Sequence, residues 1–179
     1  MASSHNVFSA RPDDIRSLPR TLLCGVGRTA AQLAMTLGAK VTGSCRGTAM
    51  SEARSLGLAR VVDYQQLNVD SIKHQFDVVF DTAGTLSIKE GRALLKPGGV
   101  VLDISPSPAK LFGIIFSARH KMVIGKPTPD LLTKVADMVA VGKLQPAIGK
   151  TVSLSDAIPA LTALEQHGTP KGKLVITWN

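Results

Sequence analysis

Short apolar runs alternate with amphipathic stretches along most of this chain. The apolar runs predict strands at residues 21–24, 40–45, 60–64, 76–82, 100–104 and 121–125. Apolar residues at helical spacing predict helices at residues 28–37, 50–56, 87–95 and 130–141. Strands that are apolar along their whole length are buried on both faces, as happens when helices cover both sides of a parallel sheet. The pattern therefore predicts an α/β fold with a doubly wound parallel sheet of about six strands.

The two ends of the chain differ from this repeating middle. Residues 1–19 are polar, contain Pro12 and Pro19 and show no period, so we expect a flexible leader there. Residues 147–179 follow a sheet that is already complete, and they predict a strand at 150–154, a helix at 156–167 and a strand at 173–178. The predicted organisation is a leader, a main domain over residues 20–146 and a C-terminal strand–helix–strand extension.

The composition is that of a globular protein with room for one domain. Of the 179 residues, 44% are hydrophobic and 19% are charged, which argues against a disordered chain. The formal charge is +8, yet the lysines and arginines are scattered and the chain has one Trp and one Tyr, so nucleic-acid binding is not expected. A polyanionic cofactor accounts better for part of the positive charge. Without an apolar run of about 18 residues or a secretory signal, we expect a cytoplasmic protein with no membrane segment.

The cysteines and histidines are not spaced for a disulfide framework or a metal site. Cys24 and Cys45 each end a predicted strand, where small buried thiols of a reduced compartment are commonly found. The four histidines are scattered along the chain, at His5, His74, His120 and His167. No metal site is therefore predicted.

A glycine-containing turn joins the first predicted strand to the first predicted helix. Gly25, Val26 and Gly27 form a G-x-G segment there, where the backbone amides of a helix N-terminus can approach a pyrophosphate. G-x-G alone is also typical of an ordinary tight turn between a strand and a helix. Its place after the first strand of a parallel sheet indicates a Rossmann-type dinucleotide-binding domain.

The end of the second predicted strand bears on which dinucleotide binds. NAD sites have an acidic residue at this point, which accepts hydrogen bonds from the ribose hydroxyls, whereas a cation suits the 2′-phosphate of NADP. This chain has Arg46 there, with Ser44 and Thr48 beside it. We therefore predict NADP(H) as the cofactor; the alternative is that Arg46 is an ordinary solvated arginine.

Together these segments resemble the zinc-free quinone oxidoreductase branch of the medium-chain dehydrogenase/reductase superfamily. The similarity runs in one unbroken order over residues 21–179. Its motifs are GVGRTAAQLA at 25–34, LGAKVTG at 37–43, RSLG at 54–57, VDY at 62–64, FDVVFDTAG at 76–84, LLKPGG at 94–99, GKLQP at 142–146 and GKLVI at 172–176. The resemblance implies hydride transfer from NADPH to a quinone, enone or carbonyl substrate.

The resemblance also implies where the adenosine half of the cofactor would lie. Gly25, Val26 and Gly27 would face the pyrophosphate. Ser44 and Arg46 would lie beside the 2′-phosphate.

The remaining implied contacts lie toward each end of the dinucleotide. Tyr64 falls where the family has a tyrosine near the adenosine end. At the other end, the nicotinamide ribose would lie between two groups of residues that follow the fourth and fifth strands. These residues are Thr82, Ala83, Gly84, Ile104 and Ser105. The resemblance identifies no catalytic residue in this chain.

The family's glycine motif, A-x-x-G-x-x-G, is only partly matched. Aligned without a gap, Thr21 and Cys24 stand at the first two positions and Gly27 at the last. Alternatively, about three residues are missing and the first strand runs directly into Gly25. In either alignment the phosphate turn is impaired, because Cys24 brings a Cβ to a point where close approach of the backbone is needed.

The N-terminal catalytic domain of the family has no counterpart in this sequence, and residues 1–19 do not resemble any part of it. We therefore expect a fragment, a truncated paralogue or one half of a two-chain enzyme. In the family the segment corresponding to 147–179 packs on the catalytic domain. Its apolar side chains would here be exposed and suited to self-association or to a partner chain. These side chains are Ala157, Leu161, Leu164, Leu174 and Ile176.

Two other functions compete with an oxidoreductase. The segments 76–81 and 95–99 also resemble later motifs of class I methyltransferases, but that family needs an acidic residue where this chain has Arg46. The other alternative is a non-catalytic module that binds a nucleotide, or merely keeps the fold, and acts through a partner. The substrate is not specified by any residue of this sequence.

Overall fold

The structure is a computed structural model that describes residues 16–20, 25–66, 68–104, 107–167 and 172–178. Its strands are β1 (Arg16–Arg20), β2 (Lys40–Cys45), β3 (Arg60–Asp63), β4 (Phe76–Asp81), β5 (Leu95–Asp103), β6 (His120–Met122), β7 (Ile148–Ser153) and β8 (Lys173–Thr177). Its helices are α1 (Gly25–Thr36), α2 (Met50–Ser55), α3 (Ile88–Leu94), α4 (Pro108–Ile115), α5 (Pro129–Ala140) and α6 (Ala157–His167).

Six of the strands form one parallel sheet in the order β3-β2-β1-β4-β5-β6. The chain builds the sheet outward from β1 in one direction and then returns to build outward from β4 in the other. This is the order of a Rossmann-type doubly wound sheet, and it confirms the predicted fold class. Strands β7 and β8 form a separate parallel pair connected by α6, which confirms the C-terminal strand–helix–strand extension.

Two clusters of buried side chains pack the helices against the sheet. The first joins α1 and α2 to β2 through Ala31, Val41, Cys45 and Ala53. The second is larger and surrounds β4 and β5, with Val62, Ile72, Phe76, Val79, Leu86, Leu94, Leu95 and Val101. Burial of each large apolar side chain in such a cluster stabilises the fold by about 1.5–3 kcal/mol. The two clusters share no residue.

The first strand lies earlier in the chain than the sequence predicts. β1 occupies Arg16–Arg20, within and just after the segment expected to be a flexible leader, whereas the predicted strand 21–24 lies outside the described residues. Arg20 pairs with Ser44 on one side and with Asp81 on the other, so β1 is the central strand of the sheet.

The fifth strand begins at Leu95, five residues before the predicted start at Val100. Residues 96–99 lie at an irregularity in the pairing with β4, since Phe76 pairs with Leu95 and Val78 with Val100. A proline can lie in a central strand only at such an irregularity, because it has no N–H to donate to the ladder. Gly98, with a φ of +80°, and Gly99 therefore lie in the irregular segment between Leu95 and Val100.

Helix α4 was not predicted, although its start carries a local signal. The Ser107 hydroxyl accepts a hydrogen bond from the amide of Lys110, and Pro108 is the first helical residue. Both features are typical of a helix N-terminus.

No helix among the described residues is long and apolar enough to cross a bilayer.

The described chain separates into two compact units, one ending at Pro127 and the other beginning at Thr128. The second unit contains α5, β7, α6 and β8, whereas the sequence predicts a division near residue 146. Of the five apolar residues expected to be exposed in the extension, Leu161 and Ile176 are exposed and Leu164 and Leu174 half-buried. The fifth, Ala157, is buried, as is Ala160 one turn further along α6.

Candidate functional site

The carboxyl ends of the sheet strands bring the predicted site residues to one edge. The strands are parallel, so β2, β3, β4 and β5 all end at this edge. Cys45 at the end of β2 is paired with Asp63, and Asp81 at the end of β4 is paired with Asp103. In an open α/β sheet the ligand crevice lies outside these ends, where strand order reverses. Here the reversal falls between β1 and β4.

The predicted phosphate turn is the first turn of α1. Gly25 and Val26 are exposed and Gly27 is buried, so the helix begins three residues earlier than the predicted start at Arg28. No acidic residue lies in this turn, and the amides of a helix N-terminus carry a partial positive charge. The turn is therefore electrostatically suited to an anionic group such as a pyrophosphate.

Arg28 adds a cationic side chain to this first turn, which the sequence analysis did not single out. Its guanidinium Nη1 is 3.1 Å from Oε1 of Glu52 and so ties α1 to α2. Its Nε is buried and meets no hydrogen-bond partner in the described part of the chain. Arg28 is thus held partly buried between the two helices.

The end of β2 brings together two of the predicted site residues. Nε of Arg46 donates a hydrogen bond of 2.8 Å to the Tyr64 hydroxyl, and the Tyr64 amide donates one of 3.1 Å to the Cys45 carbonyl. This hydrogen bond raises the pKa of Arg46, whose guanidinium is cationic in any case. Thr48 is exposed close by, whereas Ser44 is buried within the strand. Of the predicted residues at the end of β2, Arg46 and Thr48 are therefore the exposed ones.

An acidic side chain does lie at this corner, but it belongs to β3. Oδ1 of Asp63 accepts a hydrogen bond from the Gln65 amide. Its Oδ2 lies 2.8 Å from the point where a Cβ on Gly47 would stand. Burial, followed by the nearby Asp63 carboxylate, raises the pKa of the free Cys45 thiol. The turn after β2 thus contains the cation of Arg46 and lies beside the carboxylate of Asp63.

The turn after β4 is held by the buried carboxylate of Asp81. Its Oδ1 accepts from the Ala83 amide at 3.3 Å and its Oδ2 accepts from the Leu86 amide at 2.8 Å. The Ile104 amide lies 3.4 Å from the Asp81 carbonyl. The structure therefore brings together Ile104 and the predicted segment Thr82–Gly84, while Ser105 lies outside the described residues.

A buried charged cluster behind these two turns was missed by the sequence analysis. Nζ of Lys110 donates to Asp81 Oδ2 at 3.0 Å and contacts Oδ2 of Asp103 as well. Nε2 of His120 lies 3.4 Å from Asp103 Oδ2. Both aspartates are fully buried, and the Lys110 side chain is 7% exposed. Neither aspartate was singled out from the sequence, and the helix that supplies the lysine was not predicted.

His120 is neutral in this cluster at ordinary pH. Burial lowers the pKa of His120 below its usual 6.5, and the hydrogen bond to Asp103 opposes this effect only in part. Its Nδ1 is buried with no hydrogen-bond partner in the described structure.

No group of three or more His, Cys, Asp or Glu side chains in the described ranges is placed to hold a metal ion. Asp81 and Asp103 converge on the Lys110 ammonium.

The sequence and the fold both match known dehydrogenases. Residues 56–176 match the family model described as zinc-binding dehydrogenase. The chain is 28% identical over 166 residues to quinone-oxidoreductase QR1, chloroplastic, of Triphysaria versicolor, with 85% of this chain and 49% of that protein covered. It is 31% identical over 144 residues to NADPH-dependent alkenal/one oxidoreductase, chloroplastic, of Arabidopsis thaliana, covering 72% and 37%. The chain thus spans about half, or less, of the length of these curated relatives.

The solved quinone oxidoreductase from Coxiella burnetii has the same fold. It superposes with a TM-score of 0.74 at 24% identity, over 92% of this chain and 53% of that one. These matches favour the dehydrogenase alternative over a methyltransferase. The zinc in the family's description has no matching ligand group in the part of this chain that the structure describes. The chain belongs to the zinc-binding dehydrogenase family, in the quinone-oxidoreductase-like branch of the medium-chain dehydrogenase/reductase superfamily, and contains that family's cofactor-binding domain.

Proposed function

We propose that this chain is the NADP(H)-binding domain of a quinone-oxidoreductase-like reductase. The observation that carries the proposal is the exposed guanidinium of Arg46, oriented by the Tyr64 hydroxyl at the end of β2. At this point NAD sites have an acidic residue, whereas a cation suits a 2′-phosphate. The similarity to NADPH-dependent alkenal/one oxidoreductase, chloroplastic, of Arabidopsis thaliana supports the same cofactor and a carbonyl-conjugated substrate.

Different residues at this edge of the sheet would bind different parts of a dinucleotide. The amides at Gly25–Gly27 would donate hydrogen bonds to the pyrophosphate, and Arg46 would pair with the 2′-phosphate. The turns at Thr82–Gly84 and Ile104 would hold the nicotinamide ribose. Nicotinamide supplies a hydride from C4, so these residues bind and orient while the chemistry is that of the cofactor. Substrate would be positioned by a catalytic domain, which further residues or a partner chain would supply.

Calorimetric titration with NADPH and NADH tests the cofactor assignment. We expect NADPH to bind about tenfold or more tightly than NADH, which corresponds to about 1.4 kcal/mol. Equal affinity, or tighter binding of NADH, would contradict a 2′-phosphate site at Arg46. Binding of neither nucleotide would contradict a functional dinucleotide site altogether.

Turnover measurements separate the two functions that remain compatible with NADPH binding. Oxidation of NADPH in the presence of a quinone or an alkenal is expected when a catalytic domain is present. Intact NADPH binding without turnover, under conditions where such a domain has been supplied, would support a non-catalytic nucleotide-binding module instead.

A further inference from the structure

We propose that Lys110 is a positioning residue for the nicotinamide half of the cofactor. Its buried ammonium connects Asp81, whose carboxylate binds the turn after β4, to Asp103 at the end of β5, directly before Ile104. It thereby joins the two strand ends between which the nicotinamide ribose would lie. The inference rests on the proposed dinucleotide site and assigns to it a residue that does not itself touch the cofactor.

Lys110 lies between two carboxylates that would otherwise repel one another. Asp81 and Asp103 are paired in register on neighbouring strands, and each is the last residue of its strand. Both are fully buried, where two uncompensated negative charges are very unfavourable. The Lys110 ammonium contacts Oδ2 of each, which places one positive charge between two negative charges.

The same contacts extend into the two turns. The Asp81 carboxylate that binds Lys110 also accepts hydrogen bonds from the amides of Ala83 and Leu86, at each side of Gly84. The Lys110 amide in turn donates to the Ser107 hydroxyl at the N-terminus of α4. One side chain therefore links the backbone of the β4–α3 turn to the start of α4. Loss of the ammonium removes the contact that holds the Asp81 carboxylate in place, and the two amides then lose a fixed acceptor.

A second lysine–aspartate pair on the same strands provides a matched control. Nζ of Lys96 lies 2.9 Å from Asp77 Oδ2, and these residues are the second of β5 and the second of β4. The pair is partly exposed and lies at the amino ends of the strands, away from the edge that carries the candidate site. Lys96→Met therefore removes a comparable ion pair without affecting either turn.

The test compares two ligands that differ only at the nicotinamide end. NADPH spans the whole site, whereas 2′,5′-ADP contains the adenosine half with its 2′-phosphate. In Lys110→Met we expect the affinity for NADPH to fall about tenfold and that for 2′,5′-ADP to change by less than about twofold. In Lys96→Met both affinities should stay within about twofold of the wild type. If Lys110→Met lowers the affinities for NADPH and for 2′,5′-ADP by the same factor, the inference is overturned, because equal losses indicate a general loss of structure.

A double variant covers the case in which Lys110→Met does not fold. Lys110→Met with Asp103→Asn keeps the net charge of the cluster at that of the wild type but lacks the ammonium link. It should show the same selective loss of NADPH affinity; wild-type NADPH binding would overturn the inference.

Amide hydrogen exchange makes failure of the inference distinguishable from failure of the proposed function. Lys110→Met should accelerate exchange of the Ala83 and Leu86 amides in the free protein, and Lys96→Met should not. If the wild type binds neither ligand, the proposed function fails while this exchange difference remains. If the wild type binds NADPH but the exchange rates of the two variants are alike, the positioning role of Lys110 fails alone.

Discussion

The Arg46 guanidinium donates a 2.8 Å hydrogen bond to the Tyr64 hydroxyl and thereby joins the turn after β2 to the turn after β3. Arg46 is exposed and Tyr64 half-buried, so the tyrosine restricts the cation while leaving it accessible to an anion. An arginine that is already oriented loses less side-chain entropy when a phosphate binds. This relationship makes the corner at the end of β2 the most direct place to test cofactor choice.

Arg46→Ala is expected to weaken NADPH binding about tenfold and to leave NADH binding within about twofold, because only NADPH carries the 2′-phosphate. Calorimetric titration of both nucleotides measures the two effects. Lys40→Ala is the control, since it removes one positive charge from the exposed opposite end of the same strand. Parallel losses of NADPH affinity in the two variants would point to net charge and not to a specific contact.

Acidification is expected to destabilise the fold through His120. The folded protein favours neutral His120, because burial lowers its pKa below 6.5. Below that value the unfolded chain binds the proton more readily, so the free energy of unfolding falls as the pH drops, by at most about 1.4 kcal/mol per pH unit. The fall levels off once the pH passes below the lowered pKa of the folded state. Urea unfolding between about pH 5 and pH 7.5 measures the slope.

The matched variants for this pH dependence are His120→Gln and His167→Gln. His120 lies beside Asp103 and near Lys110 and Asp81, whereas His167 is exposed at the end of α6. His120→Gln should flatten the slope over this range, even though it lowers stability overall. His167→Gln should leave the slope as in the wild type. A wild-type slope in His120→Gln would show that other groups cause the pH dependence.

Gly99→Ala is expected to destabilise the sheet by about 2 kcal/mol or more, because a close backbone contact cannot give way cheaply. A Cβ at this position would lie 2.9 Å from the Asp77 carbonyl oxygen and 3.0 Å from that of Phe76. A Cβ added at Gly125 would meet no atom within 4 Å, so Gly125→Ala should change the free energy of unfolding by less than about 0.5 kcal/mol. Denaturant unfolding compares the two. Similar stabilities would contradict the close packing of β4 against β5.

Self-association through the C-terminal extension is expected from its exposed apolar side chains. Leu161 is 48% exposed and Ile176 is 42% exposed. Leu161→Glu should shift a concentration-dependent dimer toward monomer in light scattering, because it places a charge in an apolar contact. Leu37→Glu, at an exposed position that follows α1, is the control and should leave association unchanged. A wild-type chain that is monomeric at every concentration would contradict this expectation.

Most of the sheet could be predicted because its signals are local. The apolar runs that became β2, β3 and β4 begin at the predicted residues, and each is followed by a turn whose residue types are recognisable. The exposed cation at Arg46 was predicted in the same way, from its place directly after β2. Its contact with Tyr64 was not, since the two residues are joined only when β2 and β3 pair.

The sequence by itself determined the fold class, the family and the end of β2 that bears Arg46. Apolar periodicity and short motifs involve only residues that are close together in the chain, so they can be recognised from the sequence before the fold is known. Only the tertiary structure decided that β1 lies at Arg16–Arg20 and that Lys110 joins Asp81 to Asp103. Charged residues are rarely buried, so nothing local distinguishes these three from solvated ones. Their burial follows from strand pairing and from the packing of α4, which bring together residues that are far apart in the chain.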